Sequence, residues 1–442
     1  MDWFSRLIKS SVWKWLYLGL GVKRWLALLF LGITILSLSA GLMLVNIYRQ
    51  APLPSVFYYV TLQFMERWER GVLLGVLGLV LAALAIVKLS ESLLSAFVDS
   101  DTDIADALYR KRTRRRGPKI VAIGGGTGLS TLLRGLKDYT DSLTAIVTVA
   151  DDGGSSGRLR RELGVLPPGD FRQCIAALAD SEPLMTQLLQ YRFGEGSGLE
   201  GHSFGNLFIA AMAGITGDFE SALLESSRVL AVRGKILPST LKSVVLCAET
   251  REPATTGNAL AQVKGESEIT HRGRPIERVY LEPEHVPAYP GAVRAILDAD
   301  LIIAGPGSLY TSVLPNLLVE EIRSALEVSR AAKVYICNVA TQPGETDDFT
   351  VEDHVEALSQ HVGEGIFGHV IANDNWRVSF PDNPRSQMVH PRSDGADGHF
   401  GMTLADMVDE SKPWRHDPSK LARAVLAWYN RSKTSSPADS QE

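Results

Sequence analysis

A glycine-rich turn is the stretch of this sequence whose residue types and spacing most directly suggest chemistry. It follows the apolar run 119–123, precedes a helical pattern over 128–138, and consists of Gly124, Gly125, Gly126, Thr127 and Gly128. Glycines let the backbone approach a ligand closely, and a helix N-terminus presents unpaired N–H groups to an anion. Leu129 stands where the dinucleotide-binding pattern requires a third glycine. The turn therefore predicts a site for a phosphate-bearing ligand, with a purely structural turn as the alternative.

Two adjacent carboxylates end the next predicted strand, 143–150. Asp151 and Asp152 are followed by two glycines and then by Ser155 and Ser156. Acidic residues at this position suit hydrogen bonds from ribose hydroxyls. The pair could equally hold Mg²⁺, which prefers oxygen ligands, and the glycines and serines could form an anion-binding nest. A plain surface turn is the remaining alternative.

A third turn of this kind follows the apolar run 301–304. Its backbone donors and hydroxyls suit a second phosphate or a sugar; its candidate residues are Gly305, Gly307, Ser308 and Thr311. Asn338 ends the next predicted strand, 333–338, and we expect it to point into the same crevice.

Two further helix starts carry polar residues. The segment Gly201–Asn206 precedes an apolar helix, and Asn206 is a candidate ligand-binding residue. His202 is a candidate catalytic base, although a lone histidine is more often structural. Asp170 follows a Pro-Pro-Gly turn, and an N-cap role alone would explain it.

Composition and spacing exclude several classes of protein. The net charge of −5 gives no general attraction to nucleic acid. The nine histidines show no zinc-binding spacing, and neither a GxSxG elbow nor a Walker A sequence occurs. The three cysteines, Cys174, Cys247 and Cys337, lie far apart in apolar runs, which indicates reduced core residues.

The elements that position these residues alternate from 119 onward. Strands are predicted at 119–123, 143–150 and near 242–248, 300–304, 333–338 and 366–372, with helices between them. Such alternation predicts an α/β, Rossmann-like, mostly parallel sheet with helices on both faces. Ligands in these sheets bind beyond the carboxyl ends of the strands, at the topological switch point.

The N-terminal region predicts a membrane anchor. Two apolar runs, about 25–47 and 71–89, are candidate transmembrane helices that form a hairpin. Basic residues concentrate before the first run and at 110–116, which places both ends and the large domain in the cytoplasm. The predicted protein is thus a multi-pass protein of the inner cell membrane.

The domain boundaries follow from these patterns. We expect a membrane anchor over 1–90, a linker with a basic cluster over 91–117, a ligand-binding domain over 118–430 and a disordered tail over 431–442. The basic cluster suits anionic lipid, because it would lie beside the membrane.

Several segments together resemble the bacterial gluconeogenesis-factor (YvcK-like) family, within the wider group of CofD-like 2-phospho-L-lactate transferases. They include GGGTGLS, VTVADDGGSSGRLR, PPGD, GHSFGN, ADLIIAGPGSLYTS and VYICNVATQPGET. The resemblance covers roughly 118–375 and continues more weakly to about 425. Phe349 departs from the glycine–tyrosine pair expected at that point.

The resemblance implies a Rossmann-like domain that binds a UDP-sugar, typically UDP-N-acetylglucosamine. The glycine turns at 124–128 and 305–312 would surround the diphosphate, and Asn206 and Asn338 would line the crevice. Arg415, with its neighbours His416 and Asp417, resembles a basic motif that closes over the ligand. In the transferase relatives, acidic residues that match Asp151 or Asp152 hold Mg²⁺.

The interpretation is a membrane-tethered regulator that binds a UDP-sugar and links carbon metabolism to cell-wall precursor supply and cell shape. The alternative is an enzyme, a Mg²⁺-dependent transferase of a phosphate-linked group. Its expected partners are the UDP-sugar, the membrane and a regulated enzyme of amino-sugar or cell-wall precursor synthesis, without nucleic acid. No cofactor is required; Mg²⁺ and homo-oligomerisation stay open.

Overall fold

The computed structural model divides the chain into two compact units, Met1–Thr113 and Arg114–Glu442. In the second unit it describes Arg114 and residues 117–435, apart from 180–182, 195, 197, 252–259, 378–385 and 393–399. In the first unit it describes scattered positions between 31 and 84. These are 31, 33, 34, 37, 41, 59, 62, 64–66, 68, 69, 71–73, 75–82 and 84.

The first unit carries the two predicted membrane spans. Most of the first span, 25–47, lies outside the described residues, as do most of 83–89 and the predicted linker from 91 to 113. The described part of the second span forms a short apolar helix, Gly71–Ala82. No single helix among the described residues is long and apolar enough to cross a membrane. Two consecutive helices of the second unit together have the length and apolar composition of a membrane span. They are Phe204–Thr216 and Phe219–Val229, and they meet at a bend of 118°.

The second unit is organised by a parallel sheet of seven strands. The strand order is β10-β9-β8-β7-β1-β2-β3, and every neighbouring pair is parallel. The seven strands are β1 (Ile120–Gly124), β2 (Leu143–Val147), β3 (Lys235–Pro238), β7 (Leu301–Ala304), β8 (Ala332–Ile336), β9 (His369–Asn373) and β10 (Gly401–Ala405). This confirms the prediction of a mostly parallel α/β sheet.

The strand order reverses its direction between β1 and β7. From β1 the chain adds β2 and β3 on one side, and then β7 to β10 on the other. Because strand crossovers are right-handed, the helices before and after this reversal fall on opposite faces, and a crevice opens at the carboxyl ends of β1 and β7. The register pairs Ile123 with Ala304, so the two glycine turns leave the sheet side by side.

β1 shows why these residues form central strands. All five of its residues are buried, and its sequence IVAIG is a β-branched and small apolar run. A parallel strand covered on both faces requires such continuous hydrophobicity, because no side faces water. β7, with the sequence LIIA, is likewise buried at every position.

A second, three-stranded antiparallel sheet has the order β5-β4-β6. It comprises β4 (Val245–Arg251), β5 (Leu260–Lys264) and β6 (Ile276–Glu282). The strand predicted near 242–248 therefore does not join the parallel sheet. β4 instead lies between β5 and β6 in this sheet and pairs antiparallel with both of them.

The helices cover the sheet and define the rest of the core. In chain order they are α1 (Gly126–Leu136), α2 (Gly154–Leu163), α3 (Gly169–Leu178), α4 (Pro183–Gln190), α5 (Phe204–Thr216), α6 (Phe219–Val229), α7 (Glu266–Arg272), α8 (Pro290–Leu297), α9 (Leu314–Leu317), α10 (Glu320–Val328), α11 (Val351–Val362) and α12 (Pro418–Ser435). A π-helical turn, Leu309–Val313, leads into α9.

The last helix, α12, fixes the C-terminal part of the domain. It packs against α1 and buries Leu421, Val425 and Tyr429 in the common core. It extends to Ser435, into the predicted tail that begins at 431; residues 436–442 lie outside the described residues. The buried apolar face of the helix ends at Tyr429, and residues 430–434 are exposed or half-buried.

Candidate functional site

A cavity of about 510 Å³ opens at the switch point between β1 and β7. Six parts of the chain line it: the turn after β1, the start of α7, the turn after β7, the loop after β8, Ser386 and a loop that precedes α12. The predicted candidates that line it are Gly125, Gly126, Thr127, Gly128, Gly307, Ser308, Thr311, Asn338 and Arg415. The cavity therefore brings together residues that are distant in the sequence.

The first wall is the N-terminus of α1. Gly126 begins the helix with φ of +60°, a conformation that favours glycine. The amides of Thr127 and Gly128 have no acceptor within the helix, because the first N–H groups of any helix lack one. A Cβ on Gly128 would lie 2.4 Å from the Pro306 carbonyl oxygen. A glycine at 128 is thus required for the two turns to meet.

The second wall is the turn after β7. Asn338, at the end of the neighbouring strand, clamps it: its side-chain Nδ2 donates to the Gly307 carbonyl at 2.9 Å, and its Oδ1 accepts from the Gly307 amide at 3.1 Å. Ser308 caps the π-helical turn by accepting from the Thr311 amide at 3.2 Å. The clamp fixes the amides and hydroxyls that face the cavity.

A carboxylate wall closes one side of the cavity. Glu345 accepts a hydrogen bond from Ser308 Oγ and another from Thr270 Oγ1 at 3.3 Å. Glu266, at the start of α7, also lines the cavity, and its Oε2 atom is buried with no hydrogen-bond partner in the described part of the chain. Burial raises the pKa of both carboxyl groups, and for Glu266 the nearby acidic groups add to this effect. Protonated carboxyl groups can donate as well as accept hydrogen bonds.

Asp170 lies beneath the first glycine turn. The N-cap of α3 is Pro168, so Asp170 does not cap its own helix. Its carboxyl group instead accepts from the amide of Gly126, and a Cβ on Gly125 would lie 2.5 Å from its Oδ2. Burial, with the charge of Asp151, raises the pKa of Asp170 to about 7. This residue therefore supports the turn from below and is partly protonated at neutral pH.

The fourth wall is the loop before α12, which carries Trp414, Arg415 and His416. The loop is closed by backbone bonds from Asp409 to Arg415 at 3.0 Å and from Asp417 to Met407 at 2.8 Å. Arg415 is exposed and is the one arginine or lysine among the described lining residues. It supplies positive charge to the cavity lining.

Seven predicted residues lie outside the cavity lining. They are Gly124, Asp151, Asp152, Ser155, Ser156, Asn206 and Gly305. Gly124 and Gly305 end the strands: the Gly124 carbonyl accepts from Asn316 Nδ2 at 3.1 Å, and Gly305 turns the chain with φ of +76°. They shape the two turns without lining the cavity.

The serine and asparagine candidates form hydrogen bonds between neighbouring helices. Ser155 Oγ lies 3.0 Å from His202 Nδ1 and accepts from Asn206 Nδ2 at 3.1 Å. Ser156 Oγ accepts from the Gly169 amide at 3.1 Å. All four side chains are buried, so they join α2, α3 and α5 behind the cavity. His202 holds a structural contact in this arrangement.

The two adjacent aspartates are tied to backbone amides. Asp151 Oδ1 accepts from Gly153 at 2.8 Å, and Asp152 Oδ1 accepts from Ser267 at 2.9 Å, beside Glu266. Burial raises the pKa of Asp151. Within the described ranges, no group of three or more His, Cys, Asp or Glu side chains could hold a metal ion. A Mg²⁺ ion at Asp151 and Asp152 would therefore need water or a bound ligand to complete its coordination shell, and this site stays a prediction.

Glu266, Thr270 and Trp414 line the cavity but were not among the predicted site residues. Glu266 follows Gly265 and is followed by another acidic residue, Glu268. Acidic residues in the first turn are common at ordinary helix N-termini. Trp414 stands in a short polar loop without periodicity. Phe349, for its part, packs edge-on against Tyr310 and His354, away from the cavity lining.

Comparison with known proteins places this geometry in context. The family model described as 2-phospho-L-lactate transferase CofD matches residues 120–394. A protein from Nostoc sp. is 45% identical over 432 residues, which are 94% of this chain and 92% of that protein. A protein from Bacillus subtilis named gluconeogenesis factor is 56% identical over 256 residues, which are 58% of this chain and 78% of that protein.

A solved structure has the same fold. The crystal structure of a Bacillus halodurans protein is 46% identical in sequence and superposes with a TM-score of 0.65. The match covers 70% of this chain and 99% of that chain. Nearly the whole of that protein thus corresponds to part of the present one.

Proposed function

The chain belongs to the gluconeogenesis-factor family within the CofD-like proteins, and on this premise we propose that it is a regulatory protein that binds a UDP-sugar at the switch-point cavity. The ligand we favour is UDP-N-acetylglucosamine. Through it the protein would link carbon metabolism to cell-wall precursor supply and cell shape. The N-terminal apolar segments would tether it to the cytoplasmic membrane, with the large unit in the cytoplasm.

The observation that carries the proposal is the pair of glycine turns that face one cavity. The α1 N-terminus, with its unpaired amides, and the turn after β7, with the hydroxyls of Ser308 and Thr311, both line the cavity at the switch point, and Arg415 lines it as well. Two turns suit a diphosphate better than a single phosphate, because each can take one phosphoryl group. The helix dipole and the arginine both favour a dianionic ligand there.

The carboxylate wall supports a sugar beside the diphosphate. Glu345 and Glu266 offer oxygen acceptors, and Ser308, Thr311 and Thr270 offer hydroxyls. Sugars carry many hydroxyl donors, which bind best to fixed acceptors of this kind. A cavity of about 510 Å³ is in the range of small-molecule sites.

The test is isothermal titration calorimetry on the purified full-length chain. UDP-N-acetylglucosamine is titrated with and without Mg²⁺, beside NADP⁺ and GTP, and the recovered ligand is analysed by chromatography. We expect saturable binding of the UDP-sugar and unchanged ligand on recovery. Absence of UDP-sugar binding would contradict the proposal.

Arg415 provides a variant for the same assay. Because Arg415 is exposed, Arg415→Gln should fold normally and lose a charge-assisted bond to phosphate, which weakens affinity roughly tenfold or more. Arg423→Gln is the matched control, since Arg423 is an exposed arginine on α12 that does not line the cavity. Equal affinity in Arg415→Gln and Arg423→Gln would remove Arg415 from the site.

The family description favours a second candidate, a Mg²⁺-dependent transferase of a phosphate-linked group. Asp151 and Asp152 would then act near ligand phosphates, since Mg²⁺ commonly takes one or two carboxylates and completes its shell with phosphates and water. This candidate predicts consumption of the nucleotide in the presence of Mg²⁺, with loss of turnover in Asp151→Asn and Asp152→Asn. Intact recovered ligand under the same conditions would contradict it.

A further inference from the structure

Helix α5 is apolar on the side that faces solvent as well as on the side that it buries. Its sequence, FGNLFIAAMAGIT, contains no charged residue. Ile209 and Ala213 are buried, whereas Ile215, on the opposite side of the helix, is 79% exposed. A helix that is apolar all round is normally buried all round. The outer side of α5 therefore indicates a surface that another molecule covers.

The outer apolar residues of α5 recur at helical spacing. They are exposed or half-buried, and they are Phe204, Leu207, Phe208, Ala211, Met212 and Ile215. Residues three, four, seven and eight positions apart share one side of a helix. The rings of Phe204 and Phe208 are stacked, with their centroids 6.3 Å apart. These residues therefore form one apolar stripe along the helix.

α4 widens this stripe. It packs on α5, and its sequence, PLMTQLLQ, is also free of charged residues. The amide of Phe204 donates to the carbonyl of Tyr191, directly after α4, at 2.8 Å. Leu184, Leu188 and Tyr191 are exposed, Leu184 to 72%. We call these three residues and the α5 stripe together the α4–α5 face.

A membrane surface does not match the α4–α5 face. α5 and α6 together have the composition of a span, but Ile209, Phe219 and Leu223 of this pair belong to the core of the unit. Helices that lie on a membrane carry Lys or Arg beside their apolar side. α4 and α5 carry none, and the turn after α5 adds Asp218. The face thus lacks the basic charge that anionic lipid attracts.

A second copy of the chain matches the α4–α5 face in composition and in size. The centres of interfaces between identical subunits are apolar and poor in charged residues, as this face is. An apolar face of this extent exceeds the single exposed side chains that are normal on a monomer. Two copies would together bury on the order of 1,000 Å² or more there, which is the size that a specific interface requires.

The charges at the two ends of α5 also fit a two-fold pair. Arg192 lies at the start of the helix, where it bridges to Ser203 and its guanidinium donates to the Gly201 carbonyl at 3.2 Å. Asp218 lies at the end of the helix, where it caps α6. When a two-fold axis crosses the middle of α5, the start of one helix faces the end of the other. Arg192 of each copy then lies on the side of Asp218 of the other.

We propose that the α4–α5 face is the interface of a homodimer, in which α5 packs antiparallel against α5 of a second copy. The dimer buries the apolar stripe between the two helices and pairs Arg192 with Asp218 at both ends. This inference is independent of the ligand proposed for the switch-point cavity.

Sedimentation equilibrium of the purified full-length chain tests the interface. A density-matched detergent leaves only the mass of the protein to be measured, and we expect twice the mass of one chain. Ile215→Glu places a charge in the stripe of both copies, so the dissociation constant of the dimer should rise roughly tenfold or more. Val328→Glu is the matched control, because Val328 is 71% exposed on α10, outside the α4–α5 face. It should leave the dissociation constant unchanged.

A charge reversal tests the antiparallel arrangement. Arg192→Glu sets a second carboxylate beside Asp218 at both ends, so the dimer should weaken at low salt. It should recover in about 1 M NaCl, where the screening length is only about 3 Å. Ile215→Glu should not recover in the same salt, because the cost of burying its charge remains. An Arg192→Glu dimer as stable as wild type at low salt would overturn the antiparallel pairing.

The remaining outcomes decide what covers the face. A monomeric wild-type chain would overturn the proposal. A dimer that is equally stable in Ile215→Glu and Val328→Glu would also overturn it, because the copies would then meet elsewhere. Flotation with vesicles of phosphatidylcholine and phosphatidylserine tests lipid as the occupant. Vesicle binding that falls in Ile215→Glu but not in Val328→Glu, with a monomeric wild type, would assign the face to lipid and overturn the dimer.

Discussion

At the scale of single residues, the chemistry of the site depends on carboxyl groups held away from water. Asp170 lies half-buried beneath the first glycine turn, and burial raises its pKa from 3.8 to about 7. Burial also raises the pKa values of three other carboxyl groups, those of Glu266, Glu345 and Asp151. The domain therefore keeps a set of carboxyl protons that an unfolded chain would release, which links its stability to pH.

Replacing Asp170 by asparagine should flatten this pH dependence. The folded-state pKa exceeds the unfolded one, so the contribution of Asp170 to stability is complete below about pH 4 and is lost as the pH rises through about 7. Asp170→Asn keeps an acceptor for the Gly126 amide and does not titrate. Between pH 5 and 8, its free energy of unfolding should improve relative to wild type by roughly 2–3 kcal/mol.

Urea denaturation at several pH values measures this effect. A residual slope should remain in Asp170→Asn, since Glu266 and Glu345 still titrate. Parallel profiles for wild type and variant would show that Asp170 ionises normally in the folded protein.

At the scale of elements, close contacts between backbones fix the position of the cavity walls. Gly128 allows the α1 N-terminus to meet the turn after β7, and Gly135 allows the far end of α1 to meet the start of α12. A Cβ on Gly135 would lie 2.0 Å from the Pro418 carbonyl oxygen. Because the loop with Trp414 and His416 leads directly into Pro418, the contact at Gly135 also sets the position of the fourth wall.

Two glycine-to-alanine changes in helices should therefore have opposite signs. Alanine is normally favoured over glycine within a helix by roughly 0.5–1 kcal/mol. Gly214→Ala in α5 should show that gain, since a Cβ there meets nothing within 4 Å. Gly135→Ala should instead lose about 1–3 kcal/mol, because α12 must move away.

Thermal unfolding measures the stability of both variants, and ligand titration measures their affinity for the UDP-sugar. Gly135→Ala should weaken UDP-sugar binding together with stability, whereas Gly214→Ala should leave affinity unchanged. Stabilisation by Gly135→Ala would mean that α1 and α12 do not approach as closely as described.

At the scale of the whole molecule, the sequence predicted what is local and missed what depends on tertiary assembly. The sheet and the turns at Gly126 and Gly307 were predicted because strand, glycine and helix signals lie within a few neighbouring residues. Glu266 and Trp414 reach the cavity only through the packing of α7 and the loop before α12, which no local pattern encodes. Ser155 and Asn206 show the converse: their polarity suggested a ligand, and the two side chains bond each other outside the cavity lining.

Because the chain divides into two compact units, we expect ligand binding by the second unit not to require the first unit, Met1–Thr113. A chain that lacks residues 1–113 should bind UDP-N-acetylglucosamine with the affinity of the full-length protein, since all described cavity residues belong to the second unit. Under the tethering proposal, this truncated chain should leave the membrane fraction of cell lysates, while the full-length chain remains in it.

Calorimetry and fractionation of the two chains test these expectations together. Loss of affinity on truncation would contradict the independence of the units. Equal distribution of the two chains between membrane and soluble fractions would contradict the tether.

Because distant parts of the chain form the cavity, ligand binding has a consequence for amide hydrogen exchange. The walls of the cavity are joined across long sequence separations, as in the bond between Thr270 and Glu345, which lie 75 residues apart. A ligand that contacts all four walls is bound only when every wall is in place, so occupancy penalises any partial opening that detaches one of them. Bound ligand should therefore slow exchange in β1, β7, β8 and α12 together, and couple these segments into one cooperative unit.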